Sequence, residues 1–521
     1  MNKIIKIISG IIGIVILLLV VMAIFNICPP KGNWPAPPWC SNDTNTSLSN
    51  NTNIQNIDIN TQSNNLDNNT QTDIKKLEPL LIDYNVTVSV PYWTNNDVYL
   101  GVDDNAEFLK LNKVNNTLFV GQTKLKKNSV YYYSKGSKDT TSLRTYDVNE
   151  VPIGLDSVIN WKDSVKIINK PEFQKGVTFG GMLWDVDYLK TPGLIEYNLD
   201  FVKKLGANYI IIIPDWYLSD LNSTSIFPWY DSNGVFPNKT NWVKPTLTDE
   251  QIDFIISEAR KRNLKIVLKP HVDPIMWSPE HPKGRGDIQP SNWDEWYSSY
   301  SKFIMHYAKL AEKDNVELFV VGTEIDPAAA EAHSYGPKDG GQTEYFENLI
   351  KDIKKAYSGK LTYSVACLGD ECWGPRSIKF WDSLDYIGFE PYQSLSNKMD
   401  PSIDEIKQGF SKELEWARKL HEQYNKPVLF TEIASPSNDG AAKYMLDTPP
   451  VIKQDLFEQA DVYEAMFQVI ENIDWVQGMY PWALYLVKSD NNLKWQLKDT
   501  SSAFIAKPAG QVIEKWYKEI Q

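Results

Sequence analysis

Leu318-Phe319-Val320-Val321-Gly322-Thr323-Glu324-Ile325 is an apolar run that ends in a carboxylate. A continuous apolar run of this length, rich in Val and Phe, reads as a strand buried on both faces, as in a parallel sheet. Its terminal Glu then leaves the core where strand meets loop. Pro427-Val428-Leu429-Phe430-Thr431-Glu432-Ile433 has the same grammar, with a Glu after a Thr at the strand's C-terminal end. One such Glu could simply cap the next helix or pair with a base. Two in matching contexts point to a shared task, because the C-terminal face of a (β/α)8 barrel carries the active site. A carboxylate pair there is the apparatus for cleaving a glycosidic bond.

Working outward from these two runs, residues 176–521 alternate short apolar stretches with amphipathic helices, the βαβ pattern of a parallel sheet. Strands are expected at 177–182, 209–214, 265–270, 317–323, 360–366, 385–390, 427–431 and 476–482. Helices are expected over Gly193–Leu205, Thr248–Arg262, 292–313, 343–357, 402–424, 453–472 and 511–520. The second opens Thr248-Asp249-Glu250-Gln251, a capping-box form, and puts Ile252, Ile255, Ile256 and Ala259 on one face. This count predicts an α/β fold, a (β/α)8 TIM barrel over residues 170–521, with Glu324 ending strand four and Glu432 ending strand seven. A doubly wound open sheet is the alternative. No GxGxxG or P-loop follows the first strand, so nucleotide chemistry has no support.

Upstream, the composition changes three times. Ile7 to Ile27 is almost wholly apolar and long enough to span a hydrocarbon core of ~30 Å. It exceeds a signal h-region of ~7–15 residues and no A-x-A site follows, so residues 1–28 read as an uncleaved anchor. Lys3 and Lys6 precede it, which keeps the N-terminus cytoplasmic and sends the rest outward as a single-pass membrane protein. Residues 29–78 are rich in Asn, Thr, Ser and Pro and read as a disordered stalk. Residues 79–160 hold short alternating runs between Gly, Asn and Asp, as in a small all-β sandwich. This segment weakly resembles sugar-binding sandwich modules, for which Trp93, Tyr131 and Tyr133 are the stacking candidates; a mere spacer is the alternative.

The totals narrow the partners. The 521-residue chain carries a net charge of −13, which excludes nucleic acid as a natural partner. Its 18 Trp serve either cores or sugar-stacking surfaces. The 4 Cys fall in two close pairs, Cys28/Cys40 and Cys367/Cys372. Outside the cell each could close a small loop, or all could remain thiols.

The C-terminal region resembles the clan A glycoside hydrolases, and within them glycoside hydrolase family 113, known for β-1,4-mannanase activity. The matching pieces are Gly176-Val177-Thr178-Phe179-Gly180-Gly181, Leu268-Lys269-Pro270-His271-Val272-Asp273 and Val321-Gly322-Thr323-Glu324-Ile325. They continue with Asp385-Tyr386-Ile387-Gly388-Phe389-Glu390-Pro391-Tyr392, Leu429-Phe430-Thr431-Glu432-Ile433 and Gly478-Met479-Tyr480-Pro481-Trp482. The likeness covers residues 174–520. It implies a retaining enzyme with Glu324 as acid/base and Glu432 as nucleophile. Two departures stand out. Thr323 occupies the place where the clan usually has an Asn that holds the sugar 2-hydroxyl. Glu390-Pro391-Tyr392-Gln393 stands where the mannanases tend to have Asp-Ala-Tyr-Tyr.

On that footing the substrate-binding candidates are Trp482, Tyr392, His271, Asp273, Trp216, Trp184, Glu390 and Thr323. Trp482 would floor the cleaved sugar, Tyr392 would hold Glu432 ionised, and His271 and Asp273 would bind hydroxyls. Trp277 and Trp373 are further platforms. Lys269 is expected to pair with a barrel carboxylate. His271, Asp273 and His281 could pass for metal ligands, but no HExxH is present, so no metal and no cofactor are expected. The expected partner is a β-linked poly- or oligosaccharide, met by a monomer. The rival readings are a catalytically silent surface protein that binds glycans on the barrel, and an envelope structural protein.

Overall fold

The computed structural model describes residues 81–521 except 92–93, 95, 103–107, 115–117, 127–129, 136–145, 148–155, 159–160, 162–165, 181–190, 231–244, 276–282, 369–371, 447–451 and 488–498. The expected anchor and stalk, the Cys28/Cys40 pair, Trp93, Trp184, Trp277 and His281 lie outside the described residues. Among the described residues no helix is long and apolar enough to cross a membrane.

The N-terminal part is all β. Strands β1 (Leu81–Ser89), β2 (Tyr99–Val102), β3 (Leu109–Lys110), β4 (Asn112–Lys113), β5 (Leu118–Lys126), β6 (Val130–Ser134), β7 (Tyr146–Asp147) and β8 (Asp156–Ser157) form two four-stranded sheets. Their orders are β4-β5-β1-β8 and β3-β2-β6-β7. Period-two alternation turns Tyr84, Val86 and Val88 into one core with Leu100, Phe119 and Trp161. Tyr131 and Tyr133 belong to that core too, and both hydroxyls donate to Asp156. Buried rings cannot stack on a sugar, which corrects the reading of those two tyrosines as a binding platform.

The barrel follows. Its elements are β9 (Gln174–Lys175), α1 (Leu194–Lys204), β10 (Tyr209–Ile212), β11 (Asp215–Leu218), α2 (Asp249–Lys261), β12 (Lys265–Leu268), β13 (His271–Pro274), α3 (Trp293–Lys313) and β14 (Leu318–Thr323). After these come α4 (Asp326–Ala329), α5 (Gln342–Ala356), β15 (Lys360–Cys367), α6 (Trp373–Ser377), β16 (Ile387–Pro391), α7 (Ile403–Tyr424), β17 (Val428–Ile433), α8 (Leu456–Ile470), β18 (Val476–Pro481) and α9 (Pro508–Glu519). Eight parallel strands run in the order β10-β12-β14-β15-β16-β17-β18-β9. A parallel bridge between Thr178, just beyond β9, and Ile211 of β10 brings the two edges of this sheet together into a TIM barrel. Strand one pairs from Gln174, earlier than the expected 177, because its first hydrogen bonds go to β18.

The packing explains the sequence pattern. Along β14, Leu318 and Val320 enter the cluster inside the ring, whereas Phe319 and Val321 enter the cluster between strands and helices. Both faces are therefore buried, and the run has no polar alternation. Helix α2 begins at the anticipated capping box, with Thr248 and Gln251 bonded reciprocally. One feature had no counterpart in the sequence reading. The chain after strands two and three re-pairs as β11 and β13, a second parallel pair above the ring.

Both glutamate-bearing strands change register near the mouth. On β14, three residue steps from Val320 to Thr323 face two steps on β15, from Thr362 to Ser364. On β17, three steps from Phe430 to Ile433 face two on β18, from Met479 to Pro481. An extra residue re-aims the side chains that follow it and is a recurrent device beside active sites.

Candidate active site

Glu324 sits just past the first of these irregularities, with φ at +50°, in the left-handed region that non-glycine residues seldom occupy. Its backbone N–H still donates to the Ser364 carbonyl at 2.9 Å, so the strand pairing holds it there. Glu432 lies inside the second irregularity. Both therefore come off the C-terminal ends of barrel strands, on the face where loops converge.

The surroundings of the two carboxylates differ. Glu432 is nearly enclosed, its side chain 12% exposed. The Lys269 ammonium, 1% exposed, donates to its Oε2 at 2.9 Å, and the Tyr392 hydroxyl donates to its Oε1. Burial raises the pKa of Glu432 above the ordinary carboxylate value, and the adjacent Glu390 adds to this; Lys269 and Tyr392 pull it back. Glu324 is 31% exposed and pairs with Arg285 at 3.3 Å. Partial burial pushes its pKa well up, and the charges of Glu390 and Glu432 push the same way against Arg285. Its open fraction tempers that push without reversing it. The result is a pair in which Glu324 holds its proton more firmly than Glu432.

Beneath them lies a buried polar floor. Lys269 also donates to Glu390 at 2.8 Å, and the Ser364 hydroxyl donates to the same Glu390 oxygen. Ser364 and Thr431 share a hydroxyl hydrogen bond of 2.7 Å. Lys269 thus pairs with barrel carboxylates as expected. Glu390 is fully buried and tied below the mouth, which corrects its placement among substrate-binding residues: no sugar can reach it. Thr323 is also buried, and its Oγ1 has no hydrogen-bond partner among the described residues. That too corrects a direct sugar contact, since the hydroxyl lies beneath the surface of the mouth.

The remaining candidates divide. Trp482 ends the barrel's last strand and packs on Tyr392, Ala366 and Ala434 with one part exposed; its indole N–H donates to Tyr485. Tyr392 and Trp482 therefore border the Glu432 side of the mouth. Trp216 does not reach it. Its ring packs on Phe303, His306 and Tyr307 of α3, and its indole donates to the Tyr307 hydroxyl at 2.8 Å. The strand β11 turns it outward, which corrects its reading as a sugar platform. His271 is buried, with neither ring nitrogen hydrogen-bonded among the described residues, and burial lowers its pKa well below the usual value. Its enclosure rules out a hydroxyl contact and corrects that expectation. Asp273 is gripped by Arg285 at 2.8 and 2.9 Å, so it orients that arginine toward Glu324.

Arg285 escaped the sequence reading, because Gly284-Arg285-Gly286 carries no signal beyond a loop. Asp215, His271 and Asp273 bring potential metal-ligand atoms within 4.8 Å of one another. Arg285 already supplies positive charge to both Asp273 oxygens there, so the set does not call for an ion.

The sequence profile of glycoside hydrolase family 113 matches residues 196–494. Among solved structures, two of a glycoside hydrolase family 113 β-1,4-mannanase, one of them a complex, share 26% and 27% identity with the chain. They give TM-scores of 0.52 and 0.51, and in both the match covers 66% of this chain and 99% of the other. The family 113 β-mannanase from Alicyclobacillus acidocaldarius in complex with ManMIm has the same fold, at 23% identity and a TM-score of 0.52, covering 66% of this chain and 97% of that one. No curated protein matches the sequence.

Proposed function

This chain belongs to glycoside hydrolase family 113 and is a mannanase-like glycoside hydrolase, and from that premise we propose that it is a retaining endo-β-mannanase that uses Glu432 as nucleophile and Glu324 as acid/base. The observation that carries the reading is the unequal setting of the two glutamates, one clamped by Lys269 and Tyr392, the other partly open beside Arg285.

In the first step the Glu432 carboxylate attacks the anomeric carbon. The glycosidic bond breaks as its oxygen takes the proton of Glu324. In the second, Glu324 removes a proton from water, the water oxygen attacks the same carbon, and the bond to Glu432 breaks with its electron pair returning to the carboxylate. Two inversions restore the starting configuration. Trp482 offers the apolar face against which the cleaved sugar rests. Arg285 favours the charged form of Glu324, and so supports the carboxylate that acts as base in the second step.

β-1,4-Mannan is the substrate we assign, on the strength of what the similar structures are named for. We further propose that the chain acts as a monomer, tethered by residues 7–27 with its barrel on the outer side of the membrane; the basis is the apolar run behind Lys3 and Lys6.

The test combines two variants with azide and an aryl β-mannoside. Glu432→Ala should lose turnover and, with azide, form the α-mannosyl azide by a single inversion. Glu324→Ala should form the β-mannosyl azide through the covalent intermediate. Normal turnover by Glu432→Ala, or the same anomer from both, removes the assignment. Reducing ends released from glucan but not mannan would replace the substrate and leave the chemistry.

A further inference from the structure

A second cleft, of about 450 Å³, lies on the outside of the barrel between α6 and α7. Its walls carry Trp373, Arg376 and Lys379 from α6 and the residues after it, and Trp416, Lys419 and Gln423 from α7. Among the described residues three cations and no acid line it, in a chain whose net charge is −13. Glu415 and Glu422, on the same helix, do not line it; both pair with Arg418, which offsets one of their two charges.

The cations are arranged rather than scattered. The Arg376 guanidinium lies 4.6 Å from the centre of the Trp416 ring and the Lys419 ammonium 4.1 Å from it. Trp416 therefore holds two positive groups in fixed places at the cleft wall. Trp373, expected as a platform for the cleaved chain, instead lines this outer cleft, which corrects that expectation; it is 39% exposed, and its ring also meets His333. It follows directly on the Cys367–Cys372 disulfide, which ties this segment to the end of β15. Trp373 and Arg376 are three residues apart on one helical turn, a spacing that sets side chains ~5–6 Å apart. Neighbouring positions on one helix face let the two side chains meet one sugar residue, its ring through Trp373 and its C6 carboxylate through Arg376.

We propose that this cleft is a second polysaccharide-binding site, outside the catalytic mouth, for a chain bearing uronic acids. A sugar ring rests on Trp373 while its carboxylate pairs with Arg376, and Lys419 and Lys379 meet neighbouring carboxylates. Arginine offers the paired donors that fit a carboxylate, and the cleft volume falls in the ~300–1,000 Å³ range of ligand sites. A backbone phosphate would satisfy the cations but leave Trp373 without a ring. The site would hold the enzyme against acidic wall or matrix glycan while the mouth works on another chain. It does not depend on the roles of Glu324 and Glu432.

Affinity electrophoresis of the full chain through gels containing polymannuronate, neutral mannan or polyphosphate tests this. Wild type should be retarded by polymannuronate, and Arg376→Gln/Lys419→Gln should weaken that retardation about tenfold. Trp373→Ala should weaken it without any change of charge. Mannan hydrolysis by the three proteins should be equal, which separates this site from the active site: loss of hydrolysis in wild type would sink the mannanase reading and leave the binding result standing. Equal retardation of wild type and the double variant by polymannuronate overturns the proposal. So does retardation by polyphosphate that matches polymannuronate and ignores Trp373→Ala.

Discussion

Removing the ammonium of Lys269 would leave Glu390 and Glu432 as buried carboxylates without their shared counter-charge. Breaking a buried pair in this way costs about 3–5 kcal/mol, chiefly through the charge left behind. Lys269→Met should therefore melt earlier and lose about a hundredfold or more in kcat, because Glu432 would take up a proton. Glu390→Gln keeps the ammonium on Glu432 and should be milder in both measurements; a Glu390→Gln as damaging as Lys269→Met would mean that the floor, not the charge on Glu432, matters. Tyr392→Phe removes a donor that favours the ionised nucleophile. The acid limb of its kcat/KM profile should move to higher pH by about one unit, whereas the basic limb, set by the proton on Glu324, should stay. These residues differed in how far their sequence context exposed them. The placement of Glu324, Glu432 and Tyr392 was legible because each stands at the end of an apolar strand, where a polar group has no structural excuse. Glu390 stands in the same kind of place and was misread, since nothing in one strand tells which carboxylate a lysine from another strand will bury. Arg285 comes from a loop, and a loop arginine looks the same whether it faces solvent or a strand-end carboxylate.

At the scale of single elements, the strand that presents Glu324 depends on Gly322. A Cβ there would stand 2.6 Å from Cε2 of Tyr363 and 2.9 Å from the Tyr300 hydroxyl, both buried rings with little room to retreat. Gly322→Ala should cost about 1–3 kcal/mol in thermal or denaturant unfolding. It should also lower kcat more than it raises KM, because the displaced strand end carries Glu324, the proposed acid. Activity retained at full rate with a lowered melting temperature would show that the strand yields without moving Glu324. Helices were the most legible elements. Their 3.6-residue spacing and caps are local, and α2 starts where Thr248 and Gln251 said it would. The two register shifts on β14 and β17 were not legible, because a bulge is a relation between neighbours and each strand contains only its own half. The same holds for Trp216: its loop placement suggested a rim platform, but the extra pairing of β11 with β13 turned it onto α3.

For the molecule as a whole, buried carboxyls set the response to pH. Burial raises Asp326 and Asp461 to about 7 and Glu458 to about 6. In the unfolded chain such groups release their protons near pH 4, so between about pH 4 and 7 the folded state holds more protons and stability falls as pH rises. The melting temperature should decline across that window, and Asp326→Asn with Asp461→Asn should flatten the decline; a profile rising toward pH 7 in wild type would contradict it. The closed ring itself was readable from the count of apolar runs, because eight strands and their helices leave few ways to bury both faces. What joins its ends was not. Strand one pairs with β18, and the Lys175 ammonium donates to the carbonyls of Tyr517 and Ile520 in and after α9. The Tyr517 hydroxyl in turn donates to the Gly176 and Met479 carbonyls across that seam. The order of synthesis gives this seam a meaning. A ribosome makes strand one some three hundred residues before the segments that lock it. A fragment released after residue 432 but before the last strand therefore carries both glutamates without the segments that close the ring around them, and cutting power arrives only as translation nears its end.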